Sequence, residues 1–330
     1  MLGFRLGSNG LSARSRGTFS FPSRRTRTRY RSVVVESTRL QLGAPIDLAA
    51  TVGPLRMKAS GRTPMTATSA SWAGHTPDGP GAVDLQMRAD VLEARANGPG
   101  AGWLLEQLPG LVGAGDDPSA FNPQPGPVRD LHLRSPGLRI GHTGRVLEAL
   151  VPAILGQKVT STAALRSYRT LASSHGVTVP GTKIRLAPPP DVLAGLPEWE
   201  YHSAGVERKR ARIIIEAARR AKRLQAIIGM NREAAYARLS AIRGIGPWTA
   251  AHVMGIAWGD ADAVPVGDYH LPNTVAWALA GEDRADDTRM LELLAPFAGQ
   301  RRRVVLLLKG AGVRAPRYGP RAAVNSFDHR

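Results

Sequence analysis

The sequence predicts an α+β chain, predominantly helical, with a small antiparallel β-rich part ahead of the helices. Three observations carry this. Apolar and polar residues alternate between residues 83 and 96, the period lengthens to that of a helix from Val146 onward, and a Pro- and Gly-rich stretch over residues 113–127 separates the two regimes. The chain divides accordingly into a basic arm (1–31), a β-rich N-terminal domain (32–125) and a helical domain (126–330).

The arm holds Arg5, Arg14, Arg16, Arg24, Arg25, Arg27, Arg29 and Arg31, no acidic residue, and many Ser, Thr and Gly. Such a composition builds no core, so disorder is expected. A DNA-contacting arm, a targeting peptide and an upstream extension from a misplaced start codon all stay open. Arg24-Arg25 is not followed by the apolar segment of a twin-arginine signal, which argues against export.

Strands are expected over residues 32–36 and 46–50. A hairpin is expected where Val83, Leu85 and Met87 alternate with Asp84, Gln86 and Arg88, turn at Ala89-Asp90, and continue as Leu92, Ala94 and Ala96. An amphipathic helix follows over 101–112, with Trp103, Leu104, Leu108 and Leu111 on one side, and 113–127 reads as a linker. Val146, Leu147, Leu150, Ala153 and Ile154 mark a helix ending near Gly156. Ala164, Leu165, Tyr168, Leu171 and Ala172 mark the next, stopped by Gly176. Over 206–228, Ile214, Ala217, Ala218, Ala221, Leu224 and Ile228 form an apolar stripe. Arg208, Lys209, Arg212, Arg219, Lys222 and Arg223 fall elsewhere, as a solvated face.

A formal charge of +18 and a pI near 11.2 point to a polyanionic partner, nucleic acid ahead of an anionic membrane surface. No apolar run approaches the roughly 18 residues of a transmembrane helix. The compact run from Val304 to Leu308 meets Lys309 at once, so a soluble protein is expected. The absence of cysteine excludes disulfides, thiol nucleophiles, Cys-ligated zinc and iron-sulfur clusters. The eight histidines include no pair at the i, i+4 spacing of a helical zinc site, so no metal site is expected.

The chemistry concentrates after Leu239. Residues up to Arg243 end a helix, Gly244-Ile245-Gly246 makes a tight turn, and Pro247 takes the first position of a new helix carrying Trp248, Thr249 and His252. Such a turn presents backbone N–H groups at a helix N-terminus, which suits a phosphate oxygen without reading any base. A plain link between packed helices has the same pattern. Downstream, a loop with Gly259, Pro265 and Gly267 leads to Asp268, just before a helix starting near Leu271. Asp268 there suits a helix N-cap as well as an active-site carboxylate, and the two roles are compatible. Asp260 and Asp262 read as loop and capping residues.

With this hairpin, the Gly/Pro-rich loop and Asp268 twenty residues beyond Trp248, the region 137–312 resembles the helix-hairpin-helix (HhH-GPD) superfamily of DNA glycosylases. Within it, the likeness is to the bacterial 3-methyladenine DNA glycosylase II branch, and Ala153-Ile154-Leu155-Gly156-Gln157 belongs to the same likeness. The resemblance implies two helical subdomains around a cleft and a monomer acting on duplex DNA that contains a damaged base, in the bacterial cytoplasm and with no membrane partner. Asp268 would be the catalytic carboxylate, stabilising positive charge at the sugar and orienting water. Trp248, His252 and Tyr269 would border the base, with Trp199 and Tyr201 weaker choices. Gly244, Ile245, Gly246, Thr249, Gln157 and Lys158 would meet DNA, with Arg301, Arg302 and Arg303 adding basic surface. No cofactor is implied beyond a monovalent cation at the hairpin carbonyls.

The resemblance also implies the reaction. Relatives that cut the backbone carry a lysine where Trp248 stands, so base removal alone, leaving an abasic site, is expected. An alkylated purine already carries positive charge and leaves without a strong acid, and an indole beside it adds cation-π attraction of about 0.5 to 2 kcal/mol. Three positions depart from the branch: Lys158 stands where an apolar wedge is expected, His252 replaces an aromatic residue, and 306–310 lacks a pocket tryptophan. A glycosylase for oxidised or deaminated bases and a non-catalytic hairpin DNA-binding protein are the alternatives.

Overall fold

The computed structural model describes residues 35–56 and 64–316. The arm, Arg24-Arg25 and the first three residues of the strand expected over 32–36 lie outside the described residues. Four antiparallel strands, β1 (Val35–Gln41), β2 (Ser69–Thr76), β3 (Gly79–Arg88) and β4 (Val91–Asn97), form one sheet in the order β1-β4-β3-β2. The hairpin turns at Ala89-Asp90, with Arg88 opposite Val91, and Ala89 there has φ +52°. Val83, Leu85, Met87, Leu92, Ala94 and Ala96 point into an apolar cluster that the following helices cover.

Strand β2 escapes the alternation rule because it is built of small residues. Ala73 pairs with Ala82 and Gly74 with Gly81, which lets the Trp72 ring lie across Gly74. The strand expected over 46–50 is instead a helix, α1 (Leu48–Val52). The Asp47 carboxylate accepts from the Ala50 amide at 2.9 Å, and this cap starts a helix where an apolar run alone reads as a strand.

The helix expected over 101–112 is two, α2 (Ala101–Glu106) and α3 (Leu108–Leu111), divided at Gln107, because Pro109 in the first turn of α3 has no N–H with which to continue the ladder of α2; Leu104, Leu108 and Leu111 are nevertheless buried together. The stretch 113–127 is no loose tether. Asp116 accepts from the Ile140 amide at 2.9 Å and from Arg303, and Phe121 is buried among the C-terminal helices.

Helices then follow in close succession: α4 (Pro127–Leu133), α5 (Val146–Leu155), α6 (Ser161–His175), α7 (Pro190–Gly195), α8 (Glu198–Ser203), α9 (Arg208–Arg219), α10 (Ala221–Gln225) and α11 (Arg232–Ser240). The stripe over 206–228 bends at Arg220, and its basic residues named above are exposed, as expected. Beyond them come α12 (Pro247–Val253), α13 (Leu271–Ala280), α14 (Asp287–Leu294) and α15 (Arg301–Gly310), with a π-helical segment, Met254–Trp258, continuing α12. The helices bury two apolar clusters. One gathers α5, α6, α9, α11 and α12, the other α4, α13, α14 and α15. Residues 259–270 therefore carry the chain from one cluster to the other. Among the described residues, no helix is long and apolar enough to cross a membrane.

Candidate active site

The hairpin forms as its residues require. Gly244 has φ +98°, and a Cβ there would lie 2.4 Å from Ile213 Cδ1, so both conformation and space demand glycine. Pro247 opens α12 after Gly246, whose carbonyl accepts from the Ala250 amide at 2.9 Å. Gln157, 87 residues upstream, clamps the turn: its Nε2 donates to Gly244 O and to Thr249 Oγ1, each at 2.9 Å.

This corrects part of the expected DNA surface. Ile245 is buried and its amide donates to Ile242 O at 3.0 Å, while Thr249 is buried and its hydroxyl is held by Gln157. Both build the hairpin from within, and Gly244, Gly246 and Lys158 are the members of that group exposed to solvent. Lys158 has φ +55° in the turn between α5 and α6, a conformation that costs a non-glycine residue roughly 1 kcal/mol.

The loop after the π-helical segment is tied down along its length. Asp260, 4% exposed, accepts from Arg232 Nε and Tyr236 Oη, both at 2.9 Å. Asp262 accepts from the Gly299 amide at 2.9 Å and from Arg301 Nε at 2.7 Å. Burial alone would raise the Asp262 carboxyl, but its Arg301 bonds hold it below the usual aspartate range. These aspartates are thus buried ion-pair partners rather than simple loop caps. Further along, the Gly267 amide donates to the Asp287 carboxylate at 2.9 and 3.1 Å.

Asp268 stands at the end of this fixed loop. Its Oδ1 accepts from the amides of His270 and Leu271 at 3.0 and 2.9 Å, capping α13, and its Oδ2 accepts from Trp248 Nε1 at 3.1 Å. Burial pushes the carboxyl up, but the indole bond, the two amides and the charge of Lys309 outweigh it and hold Asp268 below the ordinary aspartate range. A half-buried carboxylate that stays ionised at neutral pH is what a developing positive charge on a sugar requires.

Trp248 and His252 meet beside it. Their ring centroids are 4.2 Å apart with planes tilted by 39°, and His252 Nδ1 bonds to Trp248 O at 2.9 Å. Burial, with the charges of Lys309 and Arg302, pushes His252 down to about 4, so its ring is neutral at physiological pH. Tyr269 is not with them: it is 87% exposed, its ring edge-on to His270 at 4.8 Å. Tyr201 is core, its hydroxyl donating to Leu193 O at 2.6 Å, and Trp199 is exposed on α8.

The basic run at 301–303 does not form an open surface. Arg301 pairs with Asp262, Arg302 lies against Gly255, where an added Cβ would be 2.2 Å from its guanidinium, and Arg303 is 0% exposed. Arg303 Nη2 donates to Asp116 Oδ1 and Oδ2 at 2.5 and 2.7 Å. Lys309, on the same helix, does reach solvent and faces the charges of Asp268 and Arg302. Its only mark in the sequence is that it ends an apolar run.

Comparison with known proteins follows the same geometry. The chain is 31% identical over 160 residues to a probable bifunctional transcriptional activator/DNA repair enzyme AlkA of Mycobacterium tuberculosis, a match covering 47% of this chain and 32% of that protein. It is 26% identical over 167 residues to a DNA-3-methyladenine glycosylase of Bacillus subtilis, covering 49% of this chain and 55% of the relative. The matches thus span about half or less of the relatives' length. A solved 3-methyladenine DNA-glycosylase from Archaeoglobus fulgidus superposes with a TM-score of 0.67 at 20% identity, covering 82% of this chain and 96% of that one, which shows a shared fold. No family model matches the chain. Over about half of its own length the chain is thus similar in sequence to an AlkA-type DNA repair enzyme and to a DNA-3-methyladenine glycosylase, and it shares the fold of a solved 3-methyladenine DNA-glycosylase.

Proposed function

We propose that the chain is a DNA glycosylase of base excision repair, which turns a damaged base out of duplex DNA and hydrolyses its N-glycosidic bond. Alkylated purines of the 3-methyladenine and 7-methylguanine type are its substrates, and an abasic site is its product. The observation that carries this is the Asp268 carboxylate, kept ionised beside Trp248 and a neutral His252. Cleavage builds positive charge at C1′, and a fixed carboxylate lowers that barrier and directs water to the same carbon. The cationic purine leaves as a neutral base, with Trp248 and His252 bordering it.

The two helical clusters act as the walls of a cleft across which the duplex lies. Gly244 and Gly246 present backbone amides to phosphate, and Lys158 enters the space vacated by the turned-out nucleotide. The reaction needs no cofactor, since Asp268 and water suffice; a monovalent cation at the hairpin carbonyls would only tighten the phosphate contact. The enzyme works as a monomer on nucleoid DNA in the cytoplasm.

The test is release of methylated purines from alkylated duplex by the wild type and by Asp268→Asn, with abasic sites counted in parallel. Release that is nearly lost in a folded mutant still able to bind DNA supports the proposal. Equal release by both would remove Asp268 from the chemistry, and none by either would defeat the assignment.

A further inference from the structure

Three arginines open α15, and their surroundings differ. Arg301 pairs with Asp262 and Arg303 with Asp116, but among the described residues no carboxylate lies at contact distance from Arg302, and its buried Nε has no hydrogen-bond partner. Its backbone amide donates to Ala261 O at 2.9 Å, which ties the residue to the loop that ends in Asp268. A guanidinium buried without an acceptor is costly, so one held in a folded chain points to a ligand that supplies the acceptor.

Contact fixes where that guanidinium lies. A Cβ on Gly255 would be 2.2, 2.5 and 2.8 Å from its Nη1, Cζ and Nε, so it fills the place of a side chain at 255. Trp248, His252 and Gly255 follow one another at i, i+4 and i+7 along α12 and its π-helical continuation, and so share a face. Helical side chains lean toward the N-terminus: the His252 ring meets Trp248 at 4.2 Å, and a group in the place of side chain 255 covers the turn that carries His252. The hairpin, which is the proposed DNA contact, is at the N-terminal end of α12. Trp248, His252 and Arg302 therefore descend from it in that order, over about 10 Å.

We propose that Arg302 is a specificity-determining residue at the floor of the base site, where its guanidinium donates to the 6-oxo oxygen of a turned-out guanine-type base. This rests on the glycosylase reading above and ranks its substrates, with 7-methylguanine ahead of 3-methyladenine. Guanine carries an acceptor at position 6, where adenine carries an amino donor that a guanidinium cannot serve. Burial pushes the guanidinium down to about 10, against the pull of Asp260 and Tyr236, so it remains charged at neutral pH. As the C1′–N9 bond breaks, its electron pair enters the purine and cancels the positive charge of the methylated ring. Electron density on the 6-oxo oxygen rises, and the bond from Arg302 strengthens in the transition state. Water adds to C1′, and its proton passes by way of Asp268 to solvent.

The experiment is single-turnover release of 7-methylguanine and 3-methyladenine from one methylated duplex by the wild type, Arg302→Met and Arg302→Lys, with thermal unfolding of each protein. Arg302→Met is expected to lower the ratio of 7-methylguanine to 3-methyladenine release by roughly 10- to 100-fold, and Arg302→Lys, which keeps the charge but not the fork of donors, by less. A merely structural role slows both bases by the same factor; that result, or an unchanged ratio in folded Arg302→Met, would overturn the proposal. If Arg302→Met does not fold, Arg302→Lys decides: a lowered ratio supports the assignment and an unchanged one removes it. A wild type that releases 3-methyladenine but no 7-methylguanine also overturns it. A wild type that releases neither defeats the glycosylase reading itself.

Discussion

The Trp248 indole donates to Asp268 Oδ2 at 3.1 Å, while the other carboxylate oxygen is occupied by the first amides of α13. The helix that follows the hairpin and the helix that follows the loop are thereby locked to one carboxylate. Trp248 thus has a task besides the one proposed for it beside the base: it holds Asp268 ionised and oriented. Because Asp268 is held low, activity that needs its ionised form persists as pH falls through the ordinary aspartate range. Trp248→Phe removes a lowering influence, so the acid limb of the pH-rate profile moves to higher pH. The profile of kcat/KM checks this, and a limb that stays in place would separate Asp268 from the titration.

The same bond affects stability with a definite sign. A carboxyl held low in the folded chain contributes stability that is present above its unfolded pKa of about 3.9 and is lost as pH falls through the folded value. Asp268→Asn therefore loses stability relative to the wild type at pH 7, and the gap narrows in acid. Urea titrations at pH 7 and in acid measure it; a gap that widened on acidification would contradict the assignment of a lowered pKa.

Gln157 bridges the turn after α5 to the hairpin through Gly244 O and Thr249 Oγ1. Gln157→Ala removes both bonds and leaves the Thr249 hydroxyl buried without that donor, a cost of about 1 to 2 kcal/mol in urea unfolding. Because the hairpin loses its brace, affinity for undamaged duplex falls as well. A stability loss with unchanged DNA affinity would show that the hairpin is not what the duplex meets.

The hairpin and Asp268 were legible because glycine, proline and aspartate have local conformational duties, and those duties appear as spacing. Gln157 was legible as part of a motif but its partners were not, since a contact across 87 residues leaves no periodic trace. Charge misled in the opposite direction. Arg301, Arg302 and Arg303 read as surface, but Asp262 and Asp116, distant in sequence, neutralise two of them in the interior. Likewise, β2 has no alternation to read because small residues were needed for Trp72 to lie over Gly74. Residues 46–50 show apolar character without showing that Asp47 would cap them into a helix.

The pair formed by Arg303 and Asp116 joins the stretch before α4 to the C-terminal helix. Asp116→Ala would leave a guanidinium with no exposed side-chain surface without its partner, at a cost of about 3 to 5 kcal/mol. Adding Arg303→Met recovers much of that loss, because removing both charges removes the desolvation penalty. Thermal and urea unfolding of the two variants check this. A double variant less stable than the single one would mean that packing of the arginine stem, rather than the ion pair, is what matters here.

Lys158 and Arg243 are exposed, and Gln157 and Gly244, their immediate chain neighbours, are joined by a hydrogen bond. Two cations are thus carried on two turns braced to each other, and a duplex seated on the hairpin would meet both. Each phosphate contact releases counterions, so binding to undamaged DNA should weaken steeply with salt, and each lost contact should reduce the log-log slope by about one. Lys158→Gln with Arg243→Gln should therefore flatten the slope by about two while leaving the thermal midpoint nearly unchanged, as both side chains are exposed. Lys158 occupies a strained backbone conformation, so Lys158→Gly, which relaxes that strain and removes the charge together, should lower DNA affinity while raising stability slightly. Titrations of a labelled duplex at several salt concentrations decide the matter: an unchanged slope in the double variant would remove this turn from the DNA-facing surface.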